Sequence, residues 1–517
     1  MMQTPTAHSE AIQFAVTPSS STQHMPSGIS GIKLAEGKEQ IFDVGGFSIK
    51  SIVYPPSRVV HPEQTVTIYA AAGGQGLGHI VPMDGWLTEL RGLPDVRVVF
   101  DKNPPVHTFN RDIKDHLRYK ATNVGALGRM SNKFRENYSA KNEFNAFAKR
   151  LQEVTSDHKM PINLGVFNHR FGAHTASEKF PSDIPMAEFI PDWGKNHKGW
   201  FNPRILGNTR SNPLDRLFVT NDTAAAHACK YGVHRETIQT LGYPMRAAYK
   251  EWANKTKEEA RQELGVQEGK QVLLMSAGNA RNPGAFVDQV SGLLKHPDAK
   301  NLHLVALCNK NEELMAQLNA LGRGDIIHPV GTQDENGMAR LLRAAHKNAI
   351  QPGGGSLADC YAMEVVGILY DEKSGIEHAN ADHAGRNGTA IIAFERQSLK
   401  NAFKPSKERS AQMFREAVFE TPKERLDQIL VNQKPFRELA LNGAQRMAKT
   451  LYTLARLQAG FPVDDESLLT EGRPVGPTPA LTGTSGTQLL TPSSAFDVSS
   501  PTSPQQATVS GSEVLRF

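Results

Sequence analysis

Short apolar runs bounded by glycine, proline and polar residues recur through the middle of this chain, with amphipathic stretches between them. Residues 65–71 (TVTIYAA) read as a strand buried on both faces, 73–78 as a glycine-rich loop, and 79–90 as a helix. Further strand patterns fall at 96–100, 162–167, 187–190, 217–220 and 238–241, with helical stretches between most of them. Residues 41–64 are a transition in which 44–54 can add a strand or two. After Pro244 the alternation starts again. A helix over 257–264 stops at Gly265, and strands read at 272–276, 302–307, 326–329, 349–350, 366–369 and 390–393. Helices fill 285–294, 312–321, 337–345 and 357–363, and a last helical block runs over 423–457. Such alternation predicts an α/β protein with parallel sheets covered by helices.

At 517 residues the chain exceeds one ordinary domain. Its ends are rich in Ser, Thr, Pro, Gly and Gln with almost no aromatic residues, a composition that cannot offset chain entropy by burial. The pattern divides into a disordered tail over 1–40, an α/β domain over 41–245, a second over 246–460 and a disordered tail over 461–517.

The formal net charge of +5 changes little, but its distribution matters. Between Arg111 and Arg150, ten Lys or Arg stand against four Asp or Glu, interleaved with aromatic residues. This stretch reads either as a solvated helical face or as a peripheral contact for an anionic membrane; no nucleic-acid partner is expected. Cys229, Cys308 and Cys360 lie apart in apolar contexts and read as reduced core residues. No run of 18 apolar residues and no basic-then-apolar leader occurs, so a cytoplasmic or peripheral-membrane location is expected. The Ser/Thr/Gln-rich start would also suit the uncleaved signal of a secreted effector.

Candidate chemistry concentrates after strands. Gly353-Gly354-Gly355-Ser356 precedes a helix, whose unpaired amides suit a phosphate. Asp359, one turn on, could take both ribose hydroxyls, or be a solvent-facing helix residue. Glu377 and Asn380, after the next strand, could take sugar hydroxyls. Gly278 and Asn279 could touch a diphosphate, and Val330 with Gly331 a base. The loop with Gly76 and Gly78 places His79 at a helix start, as a proton acceptor or as a mere cap. Asp192, His197 and Trp200 share one loop with Trp193, which suits a hydroxylated acceptor stacked on indole, or a structural loop anchored by its aromatics. No Asp-x-Asp run lies at a suitable strand end, so no metal is expected.

Over roughly 64–400 the chain resembles the GT-B glycosyltransferases that include monogalactosyldiacylglycerol synthase, processive diacylglycerol glucosyltransferases and the lipid II-forming N-acetylglucosaminyltransferase. The resemblance rests on Gly353-Gly354-Gly355 with Asp359, on Gly375-Ile376-Glu377-His378-Ala379-Asn380, on Gly76-Leu77-Gly78-His79, and on Gly242-Tyr243-Pro244-Met245-Arg246. It implies two Rossmann-like domains facing a cleft. It further implies an inverting transferase that moves a hexose from a UDP-sugar, its co-substrate, to a hydroxyl acceptor, a lipid by family default, with no other cofactor. His79 would be the catalytic base, with Asp192 or His197 next. Ile376 replaces the family's Gln, and Asp359 its Glu. A UDP-sugar 2-epimerase of the same fold and a non-catalytic UDP-sugar-binding effector are the alternative expectations.

Overall fold

The computed structural model describes residues 35–44, 47–72, 77–102, 145–168, 176–195, 201–206, 212–276, 283–370, 375–394, 407–463, 465–470 and 472. All lie in one compact unit, Met1–Pro474.

The first sheet has eight strands: β1 (Lys38–Val44), β2 (Phe47–Tyr54), β3 (Val66–Ala72), β4 (Val96–Lys102), β5 (Leu164–Asn168), β6 (Met186–Ile190), β7 (Arg216–Val219) and β8 (Ile238–Thr240). Their order is β1-β2-β4-β3-β5-β6-β7-β8. From β4 to β8 every pairing is parallel, while β1 and β2 form an antiparallel edge hairpin. The central strands are wholly buried, as β3 shows, because helices cover both faces.

The second sheet is parallel throughout: β9 (Gln271–Ser276), β10 (Leu302–Asn309), β11 (Ile327–Gly331), β12 (Lys347–Ile350), β13 (Val366–Leu369) and β14 (Ala390–Ile392). Its order is β11-β10-β9-β12-β13-β14.

Eleven helices bear on the argument. They are α1 (Leu77–Arg91), α2 (Asp222–Lys230), α3 (Ala247–Ala253), α4 (Lys257–Glu263), α5 (Pro283–Leu294), α6 (Glu312–Asn319), α7 (Glu335–Ala344), α8 (Gly354–Met363), α9 (Gly375–Arg386), α10 (Lys407–Phe419) and α11 (Lys423–Gln458). Helix α11 spans both sheets. Near its start Gln433 Nε2 donates to the carbonyls of Val365 (3.0 Å) and Thr389 (2.9 Å); near its end Arg456 donates to Gln64 Oε1 at 2.7 Å. At 36 residues it is about 54 Å long, enough to brace both halves.

The expected tail limits need correction at both ends. β1 begins at Lys38, inside the stretch read as tail, and Lys38 to Ile41 are exposed on both faces of the strand, so no buried apolar alternation marks its start. At the other end, residues beyond 461 reach back to the sheet. The Gly472 carbonyl accepts from Thr240 N at 2.8 Å, and that of Leu468 from Gln239 Nε2 at 2.8 Å, so this segment satisfies groups on the edge strand β8. Cys308 and Cys360 are buried as expected, and Cys229 is partly exposed.

Candidate functional site

The carboxyl ends of the two sheets meet. From the first sheet the loop after β6 carries Pro191, Asp192, Trp193 and Gly194; from the second come the start of α8 and the first turn of α9. Asn380 is fully buried there, and its side-chain amide is divided across the seam. Its Oδ1 accepts from the amides of Trp193 (2.8 Å) and Gly194 (3.0 Å), and its Nδ2 donates to Asp192 Oδ1 at 2.9 Å. Trp193, also fully buried, donates from Nε1 to the Gly354 carbonyl at 2.9 Å. Its indole sits edge-on to Tyr361 (5.0 Å between centroids) and Phe436 (5.8 Å), with His383 at 6.1 Å.

Two glycines permit this closeness. A Cβ on Gly354 would run into the Pro191 carbonyl oxygen, and one on Gly194 into that of Ala379. Thr220 and Asn221 complete the seam, donating to the carbonyls of Asp192 (2.7 Å) and Trp193 (2.9 Å).

The expectations for this region change accordingly. Asn380, read as a sugar contact, has its amide engaged in joining the two halves. Trp193, read as a stacking platform or as an aromatic anchor of its loop, packs against Tyr361 and Phe436 of the opposite half. The cause is long-range packing that loop composition cannot show.

Asp192 is pushed up to about 6, chiefly by burial of its carboxyl; the Asn380 hydrogen bond opposes this and the Glu377 charge adds to it. Glu377 therefore lies within electrostatic reach of Asp192 from the first turn of α9, partly exposed. Only Oδ1 of Asp192 is tied to Asn380.

The second cluster lies where the chain passes from one sheet to the other. Asp359 projects from α8 and is likewise pushed up to about 6. Burial of its carboxyl is the largest cause, opposed by the Arg246 charge and a hydrogen bond from Tyr249. Arg246 also lies 3.5 Å (Nη2) from the Tyr249 hydroxyl and feels Glu335 of α7. Glu335 Oε1 in turn accepts from Ala248 N at 2.8 Å. Among the described residues the buried Arg246 Nε meets no hydrogen-bond partner. Asp84 of α1 shares this environment, its carboxyl raised by burial and lowered by Lys102 and Arg246. Gly85 lets α1 approach, since a Cβ there would strike the Pro244 carbonyl.

The start of α8 bears no side-chain cap: Gly353 is the N-cap residue and makes no such bond. Gly353, Gly355 and Ser356 are partly exposed, whereas Gly354 is buried under Pro191. Val330 and Gly331 end the edge strand β11, on the same edge of the sheet but three strand positions from β12. Gly76, His197, Trp200, Gly278 and Asn279 lie outside the described residues; of Gly78 and His79, only the place in the first turn of α1 is described. Of the basic stretch, 111–144 lies outside the described residues, and Arg150 is no surface charge: its Nε donates to buried Asp101 at 2.9 Å. Sequence reasoning missed Tyr249 and gave Tyr243 and Arg246 no chemistry, although Gly242-Tyr243-Pro244-Met245-Arg246 is one of the runs that carry the family resemblance.

Two Rossmann-like sheets with facing carboxyl ends, tied by a C-terminal helix that crosses both, make the GT-B fold, and together with the sequence likenesses the chain is a glycosyltransferase of that fold. The processive diacylglycerol beta-glucosyltransferase of Bacillus cereus strain B4264 is 26% identical over 309 residues, covering 58% of this chain and 75% of that protein. The enzyme of the same name from Bacillus mycoides strain KBAB4 is 27% identical over 310 residues, with the same coverage. Among solved structures, the glycotransferase of kitacinnamycin superposes with a TM-score of 0.50 at 14% identity, covering 76% of this chain and 99% of that one. A UDP-GlcNAc 2-epimerase from Neisseria meningitidis, bound to UDP-GlcNAc, gives a TM-score of 0.49 at 13% identity over 75% of this chain and all of the other (100%). No family model matches the chain.

Proposed function

We propose that the chain transfers a hexose from a UDP-sugar to the hydroxyl of a lipid acceptor of the diacylglycerol type, with inversion at the anomeric carbon, at the surface of a membrane. The observation that carries the reading is the convergence of the uncapped start of α8, Asp359 and Glu377 from one half with Asp192 from the other. The acceptor class is supported by the likeness to enzymes that glucosylate diacylglycerol. Among the described residues no helix is long and apolar enough to cross a membrane, which leaves room for a peripheral contact.

In this reading the amides of Gly355 and Ser356 hold the donor diphosphate and stabilise it as it leaves. Asp359, oriented by Tyr249, takes the ribose hydroxyls, and Glu377 takes hydroxyls of the sugar. Val330 and Gly331 offer backbone groups to the base, with Gly278 and Asn279 beside the diphosphate. Inversion needs a base on the acceptor side. His79 and Asp192 are the two candidates, with His197 behind them. Asp192 is mostly ionised at neutral pH and is held by Asn380 through one oxygen, which leaves the other to take the acceptor proton. Gly76, Gly78 and Trp200 would flank the acceptor.

The test is incubation of the purified full chain with UDP-glucose, UDP-galactose and UDP-N-acetylglucosamine in diacylglycerol micelles, following UDP release and lipid mass. A glycosylated lipid with an equivalent of UDP is expected. Binding of UDP-sugars without UDP release from any of them, or conversion of the nucleotide sugar to its 2-epimer, would overturn the reading.

A further inference from the structure

We infer that the hydroxyl of Tyr243 is a neutral donor to the donor diphosphate, completing from the inter-sheet passage the cradle that the start of α8 provides. This deepens the nucleotide-sugar reading and rests on it. Tyr243 is 2% exposed, and its ring packs edge-on against Phe189 of β6, with centroids 6.2 Å apart. The ring is thereby fixed and its oxygen aimed at the first turn of α8. A Cβ on Gly355 would lie only 2.9 Å from that oxygen. Among the described residues the hydroxyl meets no hydrogen-bond partner, although Tyr249 and Tyr361, equally enclosed, both have one. The Tyr243 oxygen is not itself a fully buried atom, so it is the part of this otherwise enclosed side chain that opens onto the space beside the uncapped helix amides, where a ligand acceptor would meet it.

The neighbours explain why the donor is a phenol. Asp192 and Asp359 both act on Tyr243, and their charges together with burial hold the phenol far from ionisation. A lysine here would be drawn into ion pairs with these carboxylates. A phenol stays neutral and keeps its proton for an incoming oxygen anion. The backbone is fixed from behind, because a Cβ on Gly443 of α11 would fall 2.5 Å from the Tyr243 carbonyl oxygen. The position is thus set by both the sheet and the crossing helix.

The variant Tyr243→Phe removes one oxygen and leaves the ring contact with Phe189. Titration calorimetry of the full chain with UDP and with uridine, which lacks phosphate, tests the assignment. For Tyr243→Phe the Kd for UDP is expected to rise about tenfold or more while that for uridine stays at the wild-type value, with an unchanged thermal midpoint. An Asp359→Ala control is expected to weaken both ligands. If wild type binds UDP and Asp359→Ala weakens it, yet Tyr243→Phe leaves the UDP Kd within about twofold, the Tyr243 assignment falls and the donor site stands. Equal weakening of UDP and uridine by Tyr243→Phe would make the hydroxyl a packing group and also overturn it. If wild type binds no UDP, the donor reading falls and takes this inference with it.

Discussion

Two polar clusters join the halves of this protein, and they differ in what they leave unused. At the seam, the Asn380 amide bonds Asp192, Trp193 and Gly194, while the Trp193 indole nitrogen bonds Gly354. At the passage between the sheets, among the described residues, the buried Arg246 Nε and the Tyr243 hydroxyl meet no hydrogen-bond partner. Among the described residues His383 Nε2, beside Trp193, is also buried without a partner, so it is the uncapped start of α8 next to the passage that sets the passage apart. Asp192 is anchored at the seam by one oxygen.

The largest effect expected from breaking this contrast is at Asp192. Asp192→Asn keeps the size of the side chain and should lower transfer by about 10²–10⁴-fold if Asp192 is the base. UDP release measures this, and an unchanged rate would shift the role to His79. The pH profile sharpens it. The base must be ionised, so the wild-type rate should fall as pH drops through about 6.

Trp193→Ala empties the pocket formed by Tyr361, Phe436 and His383. It should cost about 3–5 kcal/mol of stability, read as a lower midpoint in thermal unfolding. A midpoint that does not move would show that the seam is not structural.

Smaller changes are expected at the passage. Tyr249→Phe removes the hydroxyl that orients Asp359 and should weaken UDP binding about threefold to tenfold, measured by calorimetry. Equal affinity would show that Asp359 needs no orientation.

The least effect on transfer is at Glu188 of β6, which is tied to Asn202 and bonds no residue of either cluster. Its buried carboxyl is pushed up to about 8 by burial, against hydrogen bonds from Asn202. The folded chain therefore holds this proton more tightly than the unfolded one. The associated stability is complete below the usual carboxyl range and is lost as pH rises through about 8. Glu188→Gln should flatten that slope in denaturant unfolding at pH 5 and pH 9; an unaltered slope would place the titration elsewhere.

Much of the architecture was legible because strand and helix periodicities are local. The span 366–369 was read to the residue as β13, and the helix over 257–264 differs from α4 by one residue. Helix α9 was passed over because it opens on glycine and carries His, Asn and Asp where a helix usually shows an apolar stripe. Only Lys38 to Gln40 of β1 fall in the stretch read as tail, because these polar residues lie exposed at the start of an edge strand. The glycine run was placed from the sequence at a helix start, where α8 begins, with Asp359 one turn on. The fates of Asn380 and Trp193 could not be read in this way, since they depend on partners 187 and 161 positions away.

That separation has a consequence for synthesis. When Trp193 leaves the ribosome, the wall that will cover it does not yet exist: Asn380 follows 187 residues later, and Phe436 later still. At about 5–20 residues per second, the nascent first half carries a bare indole for on the order of ten seconds or more. The residue that finally locks the two halves together is, for that interval, an adhesive patch on an unfinished protein.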